Sequence, residues 1–179
     1  MSNPFSRSRR FAIAFVALAL CAILFHNQIA EALVLRGDDY LYRGDTVSAL
    51  ERYNRALHIA PSSQVAADRF VFVSLQRNTR TSLRTAVQVA THYLSARPHD
   101  SVLLTDRALC YLHEKRYARA ELDFERAARA SETPDAYVFA GWAAEHMGRK
   151  NAARVLWEKA LSVRRNYRPA LIALAEHAR

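Results

Sequence analysis

The chain has 179 residues, a formal net charge of +9 and 51% apolar residues, but only four glycines and five prolines. Its length allows one domain of ordinary size, and its composition favours helices over a β fold rich in tight turns. Cys21 and Cys110 lie in separate predicted elements, so no disulfide framework is expected. The positive charge fits a solvated outer face or contact with anionic lipid, and no nucleic-acid-binding motif accompanies it.

The N-terminal segment combines a basic start with an apolar run. Arg7, Arg9 and Arg10 precede a stretch of apolar residues from position 11 to position 25. Positive residues hold the adjacent end of a membrane helix in the cytoplasm. The chain that follows the run is therefore expected on the far side of the membrane.

Two fates are open for this segment, because it resembles both an anchor and a signal. Ala30-Glu31-Ala32 has the small-x-small pattern of a signal-peptidase site. Cleavage there would remove the first turn of the next predicted helix, and the spacer before it is long for a cleavage region. An uncleaved single-pass anchor is favoured, with residues 1–10 in the cytoplasm and residues 11–30 forming the transmembrane or signal segment.

Downstream, one pattern recurs four times at intervals of 33 to 37 residues. Its fixed point is an alanine, and a small residue precedes that alanine by about twelve positions. A period of this length indicates a repeated pair of helices. The alanines are Ala49, Ala86, Ala120 and Ala153, and the small residues upstream are Gly37, Ser74, Ala108 and Gly141.

The first copy can be interpreted from its residues alone. Apolar residues at helical spacing run up to Tyr42, and Gly44 then interrupts the pattern with the positive φ that a helix C-cap needs. A second apolar stripe ends before Pro61, which cannot continue a helix. Gly37 and Ala49 are expected to be small because the two helices cross there.

The copies are predicted at residues 30–63, 67–100, 101–133 and 134–167, followed by a capping helix at residues 168–179. A terminal helix is expected because the last unit of a repeat array otherwise exposes its apolar face. In the second copy, Arg80-Thr81-Ser82 is expected to replace the glycine turn.

This period and pattern resemble the tetratricopeptide repeat family, in particular its bacterial membrane-anchored or exported members. The resemblance covers residues 30–179. It implies an all-α fold: an α-solenoid of four helix-turn-helix repeats with a C-terminal capping helix, preceded by the N-terminal hydrophobic helix.

In that family the first helix of each repeat lines a concave groove, so the resemblance implies a protein-binding groove here. The corresponding residues include no lysine or arginine, and this chain therefore lacks the clamp with which some relatives grip acidic chaperone tails. An apolar or mildly basic segment, or a partner helix, is expected instead. The expected groove residues are Val34, Asp38, Leu41, Tyr42, Val71, Leu75, Asn78, Leu109, Leu112, His113, Val138, Trp142, Glu145 and His146.

Trp142 and Tyr42 are the expected anchors for a partner, since aromatic residues dominate binding energy at such surfaces. An alternative for Trp142 is packing against the terminal helix near Ile172. His113 and His146 occupy equivalent sites one repeat apart, and solvated histidines are favoured over a metal or pH-sensing pair.

The sequence contains no Gly-rich phosphate loop, H-E-x-x-H, C-x-x-C or G-x-S-x-G motif. It therefore predicts a protein that is not an enzyme, without catalytic residues, cofactors or metals. We expect a protein-interaction scaffold in a bacterial inner membrane, with its repeats in the periplasm binding a subunit of an envelope complex. The alternatives are a soluble exported binding module or chaperone and a eukaryotic organelle-membrane receptor. No nucleic-acid partner is expected, and homo-oligomer formation stays open.

Overall fold

The computed structural model describes the backbone of residues 4–177 and the side chains of residue 16 and residues 24–177. In that part of the chain all regular structure is helical, which confirms the all-α prediction. The helices are α1 (Pro4–Tyr42), α2 (Thr46–Ile59), α3 (Gln64–Arg77), α4 (Arg80–Ala96), α5 (Ser101–His113), α6 (Tyr117–Ser131), α7 (Pro134–His146), α8 (Lys150–Val163) and α9 (Arg168–His177).

The predicted anchor or signal segment at residues 11–30 lies mostly outside the residues whose side chains are described. Among the described residues, no helix combines the length and the apolar character needed to cross a membrane. The helices divide into two compact units, Met1–Arg69 and Phe70–Arg179, with the division inside α3.

In the first unit, α1 and α2 cross at Gly37, as the pattern of small residues predicts. A Cβ atom on Gly37 would overlap the ring of Tyr53, which is fully buried. The Tyr53 hydroxyl donates a 2.7 Å hydrogen bond to Asp38 Oδ1, and Arg69 Nε lies 3.2 Å from the same oxygen. Burial and the bond to Asp38 raise the pKa of the Tyr53 hydroxyl above its ordinary value.

The turn between α1 and α2 uses the glycine that the sequence indicates. Gly44 has a φ of +81°, a conformation that costs glycine little. Asp45 then caps α2, because its carboxylate accepts a 3.0 Å hydrogen bond from the backbone N–H of Ser48. The turn between the two helices therefore lies where the sequence predicts it.

The turn between α3 and α4 differs from the prediction. Asn78 takes the left-handed conformation, with a φ of +48°, and Thr79 is the N-cap. Thr79 and Ser82 form a reciprocal capping box at 3.2 Å in each direction. Arg80, Thr81 and Ser82 thus form the first turn of α4, and the expectation that they replace the glycine turn is wrong.

The core of the second unit contains large aromatic side chains from the second helices of two pairs, α6 and α8. Trp157 of α8 is fully buried, and its indole Nε1 donates a 3.3 Å hydrogen bond to the backbone oxygen of Val138 on α7. Gly141 faces that ring so closely that an added Cβ would overlap it. Phe124 and Cys110 are also fully buried, and burial raises the pKa of the Cys110 thiol to about 12.

A buried ion pair joins three helices of the same unit. Arg107 of α5 holds Asp123 of α6 with two hydrogen bonds of 2.7 and 2.8 Å, and a third bond of 3.0 Å reaches Thr91 of α4. Burial alone would lower the pKa of Arg107, but the hydrogen bonds and charge of Asp123 outweigh it and raise that pKa. Breaking such a pair by removing one partner typically costs ~3–5 kcal/mol.

Candidate partner-binding surface

The expected groove residues of the first unit have different surroundings. Val34 is buried with 5% of its surface exposed, so it belongs to the packing and not to an open groove. Asp38 is occupied by Tyr53 and Arg69, as described above. Leu41 is half-buried, whereas Tyr42 is 93% exposed at the end of α1. Of these sites, Tyr42 is the one whose ring a partner could cover.

In the second unit, two more expected groove residues prove to be core residues. Val71 is fully buried in a cluster with Leu83, and Val138 is buried in the cluster that contains Trp157. The physical reason is that each of these valines lies beside the second helix of its own pair, which covers it. The assignment of Val34, Val71 and Val138 to an open groove is therefore corrected.

Trp142 remains accessible and is held in place by another ring. Its indole is 37% exposed and meets Phe139 edge-on, with ring centroids 5.2 Å apart. Phe139 in turn stacks on Phe124 of α6, at a centroid distance of 5.3 Å. The described ring contact of Trp142 is thus with its own helix, whereas the alternative considered from the sequence was Ile172 of α9.

Two further groove candidates on α7 lie close to Trp142 along the helix. Glu145 contacts His177 of α9 through its carboxylate and the imidazole Nε2. The His146 ring stacks on Tyr117, with centroids 4.8 Å apart and an interplanar angle of 13°. Together, Trp142, Glu145 and His146 form the α7 surface.

The contact between Glu145 and His177 fixes the last helix against α7. The backbone oxygen of Ala173 and then Glu145 raise the pKa of His177 above its ordinary value. At the other end of α9, the Tyr167 hydroxyl donates to the Asp135 carboxylate. Burial, followed by this hydrogen bond, raises the pKa of Tyr167 to about 12.

The remaining groove candidates belong to α3 and α5. Leu75, Leu109 and Leu112 are half-buried and pack against the core clusters of the second unit. Asn78 and His113 are exposed and share a cavity of about 680 Å³ between the α3–α4 and α5–α6 turns. The other residues that line this cavity are Arg80, Leu83, Arg84, Glu114, Lys115 and Arg116.

The basic lining of this cavity was missed from the sequence. The signal was present: Lys115 and Arg116 follow soon after His113, and Arg80 and Arg84 are four residues apart on one helix. Within the described residues, no three histidine, cysteine or acidic side chains are grouped as metal ligands. The cavity shares no lining residue with the α7 surface.

Solved structures match this architecture over most of the chain. A tetratricopeptide repeat protein from Parabacteroides merdae ATCC 43184 superimposes with a TM-score of 0.71 at 20% sequence identity, over 84% of this chain and 59% of that one. A thermophilic TPR protein of Thermus thermophilus gives a TM-score of 0.66 at 19% identity, over 94% and 96%. The chain has the tetratricopeptide repeat fold.

The tetratricopeptide resemblance inferred from the sequence is thus confirmed at the level of the fold. PilF of Pseudomonas aeruginosa gives a TM-score of 0.67 at 22% identity, over 85% of this chain and 68% of its own. The chain spans about 59% of the length of the Parabacteroides protein. No protein-family model matches the sequence, and no curated protein matches it significantly. At these identities the tetratricopeptide likeness concerns the fold alone.

Proposed function

We propose that this chain is a non-enzymatic scaffold that binds a partner protein through the α7 surface. The observation that carries the proposal is the position of Trp142, whose indole is 37% exposed. Its contact with Phe139 limits the conformational freedom that the side chain would lose on binding. Exposed and pre-positioned tryptophans are among the residues most enriched at binding hot spots.

The chemistry beside Trp142 favours an apolar segment with a basic residue nearby. Glu145 lies on the next turn of α7 and contributes a carboxylate, and His146 adds a ring held by Tyr117. A partner helix or extended segment could bury an apolar side chain against the indole while a lysine or arginine approaches Glu145. This composition agrees with the partner that the sequence analysis expects.

The test is capture of partners by the full chain from detergent-solubilised membranes, quantified by mass spectrometry. Trp142→Ala should lower the yield of a specific partner about thirtyfold, the size of a hot-spot loss of ~2 kcal/mol. Trp142→Phe should retain part of the binding because it keeps an aromatic ring. Val155→Ala, which removes an exposed apolar side chain from α8, is the matched control.

The proposal is contradicted if the wild type, Trp142→Ala and Val155→Ala all capture the partner with equal yield. Tyr42→Ala is a separate arm, because Tyr42 is 93% exposed and lies in the first unit. A loss of capture with Tyr42→Ala alone would move the binding surface to that unit.

The proposal includes a location, for which the support is the sequence. Arg7, Arg9 and Arg10 before the apolar run favour an inner-membrane anchor with the tetratricopeptide repeats in the periplasm. An anchored protein should resist carbonate extraction and be digested by protease added to spheroplasts. A mature N-terminus near Leu33 would favour the exported, cleaved form, and protection from protease in spheroplasts would exclude the periplasmic orientation.

A further inference from the structure

We propose that the cavity between the α3–α4 and α5–α6 turns binds an acidic peptide segment. This basic cavity has a volume of about 680 Å³ and is built by two successive helical pairs of the second unit. Neither pair forms it alone, because its cationic residues come from α4 and from the α5–α6 turn.

The charge of the cavity is strongly one-sided. Arg80 and Arg84 contribute two positive charges from α4, and Lys115 and Arg116 contribute two more from the α5–α6 turn. The one acid in the lining, Glu114, is engaged by Arg116 at 3.0 Å.

Three of these cations have no counterion within the described part of the chain. Among the described residues, Arg80, Arg84 and Lys115 have no ion-pair partner. Arg80 and Arg84 are four residues apart on one helix, where like charges repel each other. An incoming carboxylate would relieve this repulsion and add charge-assisted hydrogen bonds.

The size and lining of the cavity favour a peptide over other anions. Its volume lies within the ~300–1,000 Å³ typical of ligand sites and is much larger than one inorganic anion needs. Leu83, of which 3% is exposed, forms a small apolar part of the lining. No aromatic ring lines the cavity among the described residues, apart from the imidazole of His113, whereas single-stranded nucleic acids are usually held by stacking on such rings.

A membrane surface is also a poorer fit. Anionic lipid headgroups attract basic residues that project from one exposed face. Here the cations of α4 and of the α5–α6 turn line one concavity, which suits a narrow segment that enters it. The site shares no residue with the α7 surface, so its test is independent of the proposed function.

The probe is a fluorescein-labelled hexapeptide, Glu-Leu-Glu-Glu-Leu-Glu, whose binding to the full chain in nonionic detergent is followed by fluorescence anisotropy. The same peptide with glutamine in place of glutamate reports the apolar contribution. We expect the acidic peptide to bind at least about tenfold more tightly at low salt, and this difference to shrink as salt screens the charges.

Three double variants with the same change in net charge separate a local site from general attraction. Arg84→Gln with Lys115→Gln should weaken binding of the acidic peptide at least about tenfold. Lys150→Gln with Arg165→Gln, which removes two exposed charges outside the cavity, should leave binding within about twofold. Arg80→Gln with Arg84→Gln also removes two charges from the cavity, but it leaves the turn at Lys115 unchanged. It should weaken binding as the first double variant does.

Several results would overturn the assignment. Equal losses in the cavity and control variants would mean that net charge alone attracts the peptide. If the glutamine peptide bound as tightly as the acidic peptide, the carboxylates would have no role in binding. Displacement of the peptide by inorganic phosphate or by a short single-stranded DNA, at concentrations below those of unlabelled peptide, would assign the cavity to phosphate chemistry. Retained binding by Trp142→Ala is expected, because that variant alters the α7 surface only.

Discussion

Two helix crossings in the second unit are packed with different combinations of residue size. In the pair α7–α8, the first helix supplies Gly141 and the second supplies Trp157 sixteen residues later. In the pair α3–α4, the positions with the same spacing hold Ser74 and Ala90. All four residues are buried. This pair of buried positions in the fold therefore holds either a glycine with a large ring or two small side chains.

The two pairs of residues differ in polarity as well as in size. The indole of Trp157 finds a hydrogen-bond acceptor in the backbone oxygen of Val138. The Ser74 hydroxyl is fully buried and has no hydrogen-bond partner among the described residues. Buried polar groups without partners destabilise a fold, so the α3–α4 crossing is expected to be the weaker of the two.

The largest expected effect is at the aromatic crossing. Trp157→Ala should lower the free energy of unfolding by ~3–5 kcal/mol, because it leaves a cavity beside Gly141 and removes the bond to Val138. Urea unfolding of the full chain, followed by circular dichroism, measures this. Val155→Ala on the exposed side of the same helix should stay within ~0.5 kcal/mol of the wild type. Similar losses in the two variants would contradict a specific role for the ring.

A smaller loss is expected when the glycine is filled. Gly141→Ala should cost ~1–3 kcal/mol, since its Cβ would overlap the indole ring. Combined with Trp157→Leu, the same change should cost less than the sum of the single losses, because the smaller side chain leaves room for the Cβ. Strict additivity in a double-mutant cycle would show that the two residues do not share this space.

The α3–α4 crossing should respond in the opposite direction. Ser74→Ala removes a buried hydroxyl without a partner, so the free energy of unfolding should be unchanged or rise by ~1 kcal/mol. Ser48→Ala is the matched control, because the Ser48 hydroxyl donates a 2.6 Å hydrogen bond to Asp45 and its loss should destabilise slightly. A melting temperature that falls with Ser74→Ala would mean that its hydroxyl has a partner after all.

The smallest effect concerns pH and the contact of Trp157 with α9. The His177 ring lies 4.8 Å from the Trp157 ring and contacts Glu145, and the folded state raises the pKa of His177. A raised pKa means that His177 adds stability below its unfolded pKa and that this contribution is lost as pH rises through the folded pKa. His177→Gln should therefore flatten the pH dependence of the free energy of unfolding at pH values above the unfolded-state pKa of His177. If His177→Gln left the pH dependence of the free energy of unfolding unchanged, that dependence would come from other titratable groups.

The helical pairs were predictable because their signals are local or periodic. Gly37 and Gly44 indicate a crossing and a turn through their own steric and conformational properties. The turn at Asn78 was misassigned because asparagine in the left-handed region replaces glycine there, and the cap signal Thr79–Ser82 is short.

The binding surfaces were harder to predict because exposure depends on what neighbouring helices cover. Val71 and Val138 have the helical spacing of groove residues, but adjacent helices bury them. The basic cavity brings together Arg84 and Lys115, which are 31 positions apart in the chain. Periodicity aligns the turns of successive repeats, yet it gives no measure of the space left between them.

The fit between glycine and tryptophan at the α7–α8 crossing also restricts how mutations can accumulate there. A lineage that first enlarges Gly141 places a Cβ inside the Trp157 ring, whereas one that first shrinks Trp157 opens a void that a later serine or alanine can partly fill. Either first step therefore destabilises the protein, and the second change relieves part of the loss that the first one caused. The fold thus couples the two helices at this position, so that a change in one favours a compensating change in the other.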